Sequence, residues 1–220
     1  MKRFEVVTFD CYGTLVDWET GISTAFLTAA GAEGLKLGRA EVLAAYMKIE
    51  PVVETGPYRP YRDVLRETAV RVARHFGWTL DHATADFLAE SLRNWPVFPD
   101  TRPALERMKS AGTRLGILSN VDADLLEGTL EGLGVEFDWL VTAQQVRSYK
   151  PGHAHFRELR GRIGEAGWLH AAQSYFHDVV PASELKIPVA WVNRHDEAPQ
   201  GDALPDHECR NLEQLAVWLV

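Results

Sequence analysis

The chain has 220 residues, 46% of them hydrophobic and 25% charged, with a formal net charge of −8 at neutral pH. That length allows one sizeable core carrying an inserted subdomain, and the composition is that of a globular protein in water. The acidic balance argues against a nucleic-acid partner and fits a small anionic ligand held by a local basic site; no apolar run approaches transmembrane length, so no membrane partner is expected.

Met1-Lys2-Arg3 leads directly into a strand pattern instead of a secretory leader, which makes the cytosol the expected compartment. The first strand, residues 4–9, ends in Asp10, at the edge where open α/β sheets carry their chemistry. The turn Cys11-Tyr12-Gly13-Thr14-Leu15-Val16-Asp17 follows. Two residues after Asp10 stands Tyr12, not a second carboxylate. Asp10 can therefore act as a nucleophile, but it lacks the adjacent proton donor that a leaving group such as an alkoxide needs. Cys11, expected to alternate into the sheet core, and Cys209 form neither a disulfide framework nor a metal cluster.

Residues 18–95 show no strand pattern. Helical periodicity runs through 19–30, 39–53, 61–76 and 81–92, with glycine- or proline-containing breaks at 31–34, 55–57 and 77–79. One crossover needs far less chain. The economical reading is a helical cap over residues 18–95, inserted into a core made of 1–17 and 96–220. Its aromatic residues Tyr46, Tyr58, Tyr61, Phe87 and Trp95 are expected to fill the cap's own core or to meet a second subunit.

Beyond the cap, strand-length apolar segments at 114–118, 139–142, 169–172 and 189–192 alternate with helical patterns at 101–110, 123–133, 152–162, 177–185 and 211–218. Such alternation predicts a parallel sheet covered on both faces, with right-handed crossovers bringing the strand C-termini to one edge. The stretch 195–207, with His195 and His207 separated by prolines, reads as a polar loop and not a metal site.

That edge would collect chemistry from several strands. Ser119-Asn120, before a helix that Asp122 could cap, offers a hydroxyl, an amide and backbone N–H groups for an anion. Lys150, fixed by Pro151, is either a surface residue or a cation aimed across the strand tips. Gln173 to Asp178 follow the fourth strand and Asn193-Arg194 the fifth. A carboxylate beside a lysine is expected to have a depressed pKa, leaving Asp10 ionised at neutral pH.

The series Asp10-Cys11-Tyr12-Gly13-Thr14-Leu15, Ser119-Asn120, Lys150-Pro151 and an acidic fourth motif ending in Asp178 resembles the haloacid dehalogenase superfamily over essentially the whole chain. The resemblance implies an α/β Rossmann-like core, a parallel sheet flanked by helices, with an inserted helical cap. It implies a hydrolase in which Asp10 forms a covalent intermediate, Lys150 anchors Asp10, and Asp178 helps hold Lys150 and the hydrolytic water. Thr14 and Ser119 would position the oxygens of Asp10 and of the substrate anion, with Asn120 in the substrate corner.

Tyr12 stands where the phosphatases of that superfamily carry a general acid, and Gln173 where they carry a magnesium-binding acid. Both point to the L-2-haloacid dehalogenase branch, with Tyr12 beside the substrate and no metal or other cofactor. Characterised dehalogenases have a serine and an asparagine where Gln173 and Tyr175 stand; these two and Asn193 are expected to support the site. The family's cap arginine has no clear match after Arg39, so Arg59 or Arg62 is expected to replace it. The resemblance also implies a homodimer. The alternatives are a magnesium-dependent phosphatase of small metabolites and an inactive binding protein of the same fold.

Overall fold

The computed structural model describes Phe4–Val220, so the basic start Met1–Arg3 lies outside the described residues. In chain order the elements are β1 (Val6–Phe9), α1 (Trp18–Ala32), α2 (Arg39–Glu54), α3 (Tyr61–His75), α4 (Phe87–Ser91), α5 (Thr101–Ser110) and β2 (Arg114–Ser119). Then come α6 (Ala123–Leu133), β3 (Trp139–Thr142), α7 (Ala143–Val146), α8 (Ala154–Ile163) and β4 (Trp168–Ala172). A turn of π-helix (Tyr175–Val179) runs into α9 (Val180–Glu184), followed by β5 (Val189–Val192), β6 (His207–Cys209) and α10 (Leu212–Leu219).

The sheet is six-stranded in the order β3-β2-β1-β4-β5-β6, and every pairing is parallel. β1 lies inside it and all of its residues are buried. That explains its unbroken run of β-branched and aromatic residues: a strand covered on both faces has no polar face to present. Parallel pairing also carries the C-terminal ends of β1, β2 and β4 to the same edge.

Three expectations are corrected. The supposed loop 195–207 ends in a sixth strand, because His207 to Cys209 pair with Ala190 to Val192. The helix expected at 81–92 is broken: Asp81 accepts from Ala83 N at 3.0 Å, while Thr84 Oγ1 donates to the Asp81 carbonyl at 3.1 Å. Such local bonds compete with a continuous helix, and α4 starts only at Phe87. The helix expected from 177 is preceded by the π-helical turn, where Ser174 Oγ accepts from His177 N at 3.1 Å.

The chain divides into two compact units. The first comprises the segment ending at Val16 with Val97–Asn120 and Leu133–Val220, and it carries the sheet. The second, the helical unit, comprises Asp17–Pro96 together with Val121–Gly132, a stretch that the sequence reading put in the core. Asp122 shows why. Its carboxylate accepts from the backbone N–H of Tyr61 at 3.0 Å and of Arg62 at 2.9 Å, capping α3, whose own N-cap is Pro60. Asp122 was expected to cap α6; its carbonyl does accept from Leu126 N, but its side chain serves another helix. Inside this unit Tyr46 and Trp95 are buried, and Phe26 meets Phe87 edge-on at 5.3 Å.

Candidate active site

Asp10 follows the last residue of β1. Gly13, at φ 99°, allows the chain to turn sharply after it, with Gly13 N donating to Val16 O and Leu15 N to Cys11 O. The turn brings Thr14 back to Asp10, where Thr14 Oγ1 donates to Asp10 Oδ2 at 3.1 Å. Gln173 N donates to the same Thr14 oxygen at 2.9 Å. A backbone N–H can only donate, so the Thr14 proton is left for Asp10.

Lys150 is only 1% exposed and has a full set of acceptors. Its Nζ lies 2.9 Å from Asp10 Oδ1, 2.6 Å from Asp178 Oδ1 and 2.8 Å from the Leu118 carbonyl. An ammonium has three N–H bonds, and each finds an oxygen. Asn120 holds the lysine's backbone: its Oδ1 accepts from Lys150 N at 2.7 Å and its Nδ2 donates to Lys150 O at 3.0 Å. The residue expected in the substrate corner is thus a clamp on Lys150.

Asp178, also buried, meets His170 Nε2 at 2.9 Å through the same Oδ1 that faces Lys150. His170 went unnoticed in the sequence reading. The signal was a lone histidine inside an otherwise apolar strand, Trp168-Leu169-His170-Ala171-Ala172. Ser119 Oγ is buried and has no hydrogen-bond partner among the described residues. The Ser119 carbonyl accepts from His155 Nε2 at 3.1 Å, and burial pulls the His155 pKa down to about 3, leaving that ring neutral.

The electrostatics correct one expectation. Burial raises the Asp10 pKa above its usual value, and the opposing attraction of Lys150 does not cancel the rise. Burial alone would raise Asp178 too, but Lys150 and the hydrogen bond from His170 outweigh it and bring that carboxyl well below the usual range. Burial works against the Lys150 charge, yet Asp10 and Asp178 together raise its pKa. The neighbouring Cys11 thiol is pushed well up by burial and by Asp10, and stays protonated.

The remaining expected site residues have partners of their own. The Gln173 side chain turns to Glu197, so its backbone N–H is what reaches the site. Tyr175 donates to the carbonyls of Gly201 and Ala203, and Asn193 bonds Glu197 and Glu208; both tether the loop before β6. Arg194 makes a two-pronged pair with Asp100 and donates to the Thr14 carbonyl. Tyr12 is half-buried and bridges Val16 through its backbone. In the helical unit Arg59 donates to Val53 O at 2.7 Å, and Arg62 is ion-paired with Asp124 at 2.7 Å. In the same unit burial raises the Glu50 carboxyl to about 7.

The sheet and its edge of acids around one buried lysine define a Rossmann-like hydrolase core. The sequence pattern of the haloacid dehalogenase-like hydrolases matches residues 4–173, and the chain belongs to that family. It is 26% identical to an (S)-2-haloacid dehalogenase of Pseudomonas putida, covering 100% of this chain and 98% of that one. The fold is shared with the L-2-haloacid dehalogenase from Xanthobacter autotrophicus solved with chloropropionic acid covalently bound, at a TM-score of 0.81, 19% identity and 97% coverage of both chains. It is equally that of a magnesium-bound HAD-hydrolase from Bacillus subtilis, at a TM-score of 0.85, 17% identity and 99% coverage of both.

Proposed function

We propose that the protein hydrolyses short 2-haloalkanoates through a covalent ester on Asp10. The observation that carries this reading is the Lys150 ammonium shared by Asp10 and Asp178 where Tyr12 replaces a second acid. An Asp10 oxygen attacks the halogen-bearing carbon from the side opposite the halogen. The new C–O bond forms as the carbon–halogen bond breaks, and the halide leaves with the bonding pair. It needs no proton, so the missing general acid costs the reaction nothing; for a phosphomonoester the same loss would slow cleavage by ~10²–10⁴. Thr14 and Lys150 hold the Asp10 carboxylate, and Ser119 Oγ, a buried hydroxyl with no partner among the described residues, is a donor for the substrate's carboxylate or the departing halide.

Water then attacks Cγ of Asp10 in the ester. Asp178 takes its proton, the bond from Cγ to the ester oxygen breaks, and the alkoxide recovers a proton as the hydroxy acid leaves. Asp10 loses the remaining proton to solvent. A magnesium ion, by contrast, is poorly served by these residues. Oδ1 of Asp10 and of Asp178 both face Lys150, Asp10 Oδ2 accepts from Thr14, and the Gln173 amide turns to Glu197. An octahedral oxygen site needs more.

Halide release from (S)-2-chloropropionate is the test, run beside a panel of phosphomonoesters with magnesium and with EDTA. Halide release insensitive to EDTA is expected. Magnesium-dependent phosphate release with no halide release from several haloacids would overturn the reading.

A further inference from the structure

Behind Asp178 lies a buried relay that the dehalogenase steps above do not use. It begins at Trp168, whose Nε1–H can only donate and does so to Thr8 Oγ1 at 2.7 Å. Thr8 Oγ1 stands 2.9 Å from His170 Nδ1, and His170 Nε2 stands 2.9 Å from Asp178 Oδ1. The sheet register builds this row. Thr8 pairs with His170 across β1 and β4, and with Gly116 across β1 and β2. A Cβ at Gly116 would come within 3.1 Å of Thr8 Cγ2, so the glycine leaves room for the threonine.

The donors settle the proton positions. Thr8 is fully buried, and its oxygen already accepts from Trp168. Among the described residues its hydroxyl proton has one acceptor, His170 Nδ1. Nδ1 therefore accepts, and the ring proton sits on Nε2, pointing at Asp178. The other tautomer would strand the Thr8 proton and set two bare lone pairs, Nε2 and Oδ1, against each other. Oδ1 of Asp178 thus receives both Lys150 and His170, while Oδ2 is buried with no partner among the described residues.

We propose that His170 is a positioning residue for the hydrolytic half-reaction: held as the Nε2–H tautomer by Trp168 and Thr8, it fixes Asp178 so that Oδ2 receives the proton of the attacking water. This rests on the dehalogenase reading only in naming the Asp10 ester as what the water attacks. The proton passes from water to Oδ2 as the oxygen bonds to Cγ, and returns to the alkoxide as the Cγ–O ester bond breaks. The titratable groups that act on Asp178 or feel its charge are Lys150, His170, Asp10, His155 and His177.

The test compares the parent with His170→Leu and His170→Gln, using (S)-2-chloropropionate, rapid quenching and mass analysis of the Asp10 peptide. In the Leu variant the first halide is released at the parent rate, kcat falls on the order of 10²-fold, and the ester accumulates on Asp10. KM falls with kcat, because kcat/KM reports the alkylation step, which His170 does not touch. Gln has a donor and an acceptor on one side chain and restores part of kcat. A Leu variant that hydrolyses at the parent rate without ester, or loses kcat/KM as much as kcat, would overturn the inference. Nitrogen-15 NMR of histidine-labelled parent protein needs no substrate: a neutral His170 with its proton on Nε2 supports the relay, and a proton on Nδ1 overturns it. A parent that releases no halide defeats the dehalogenase reading alone, since the tautomer still decides this one.

Discussion

Lys150 Nζ lies 2.6 Å from Asp178 Oδ1 and 2.9 Å from Asp10 Oδ1, so one buried cation is shared unequally between two acids. Asp178, with His170 as a second donor, is held below the usual carboxylate range, whereas burial leaves Asp10 above it. As the pH falls, Asp10 takes the first proton. A protonated nucleophile is inactive, so the acidic limb of kcat/KM should lie above the ordinary aspartate value of about 3.9. A pH–rate profile checks this, and a limb at or below that value would show that Lys150 wins over burial.

Replacing Lys150 by Met removes the cation and leaves the buried carboxylates facing each other. Loss of one partner from a buried ion pair costs about 3–5 kcal/mol, and the same is expected here from urea unfolding at neutral pH. Turnover should fall sharply and any residual acidic limb should move further up, because the group opposing burial at Asp10 is gone.

Asp10→Asn should abolish turnover yet leave the protein folded. The sign of its stability effect follows from the raised carboxyl. A group whose folded pKa is raised stabilises the fold below its unfolded value of about 3.9 and loses that contribution as pH rises through the folded value. The Asn variant escapes the loss. Its melting temperature should equal or exceed the parent's at pH 7, with the advantage vanishing near pH 4.

Much of this was legible in the sequence because its causes are local. Val6 to Phe9 read as a buried strand, and Asp10, Thr14, Lys150 and Asp178 were expected at one edge because parallel strands end together. What escaped depends on partners distant in sequence. Nothing in Asn120 shows that its amide would pair with the backbone of Lys150, or in Asp122 that its carboxylate would cap α3 instead of α6. His170 is a single polar residue in an apolar strand, and its partner Thr8 lies 162 residues away, paired with it across the sheet. Tyr175 and Asn193 occupy expected site positions, but the loop before β6 takes their polar groups.

The Asp122 cap gives a test of the fold alone. Asp122→Ala leaves the N–H groups of Tyr61 and Arg62 at the start of α3 without their carboxylate. A cost of about 1–2 kcal/mol is expected, read as a lower denaturation midpoint with an unchanged m-value. An unchanged midpoint would mean that the cap contributes nothing to stability.

The covalent route is tested most directly by one turnover in oxygen-18 water with enzyme in excess over (S)-2-chloropropionate. The hydroxy acid formed should carry ordinary oxygen, taken from Asp10, and the Asp10 peptide should gain the heavy isotope as water opens the ester. Heavy oxygen in the first-turnover product, with the Asp10 peptide unlabelled, would show that water attacks the substrate directly and would contradict the account.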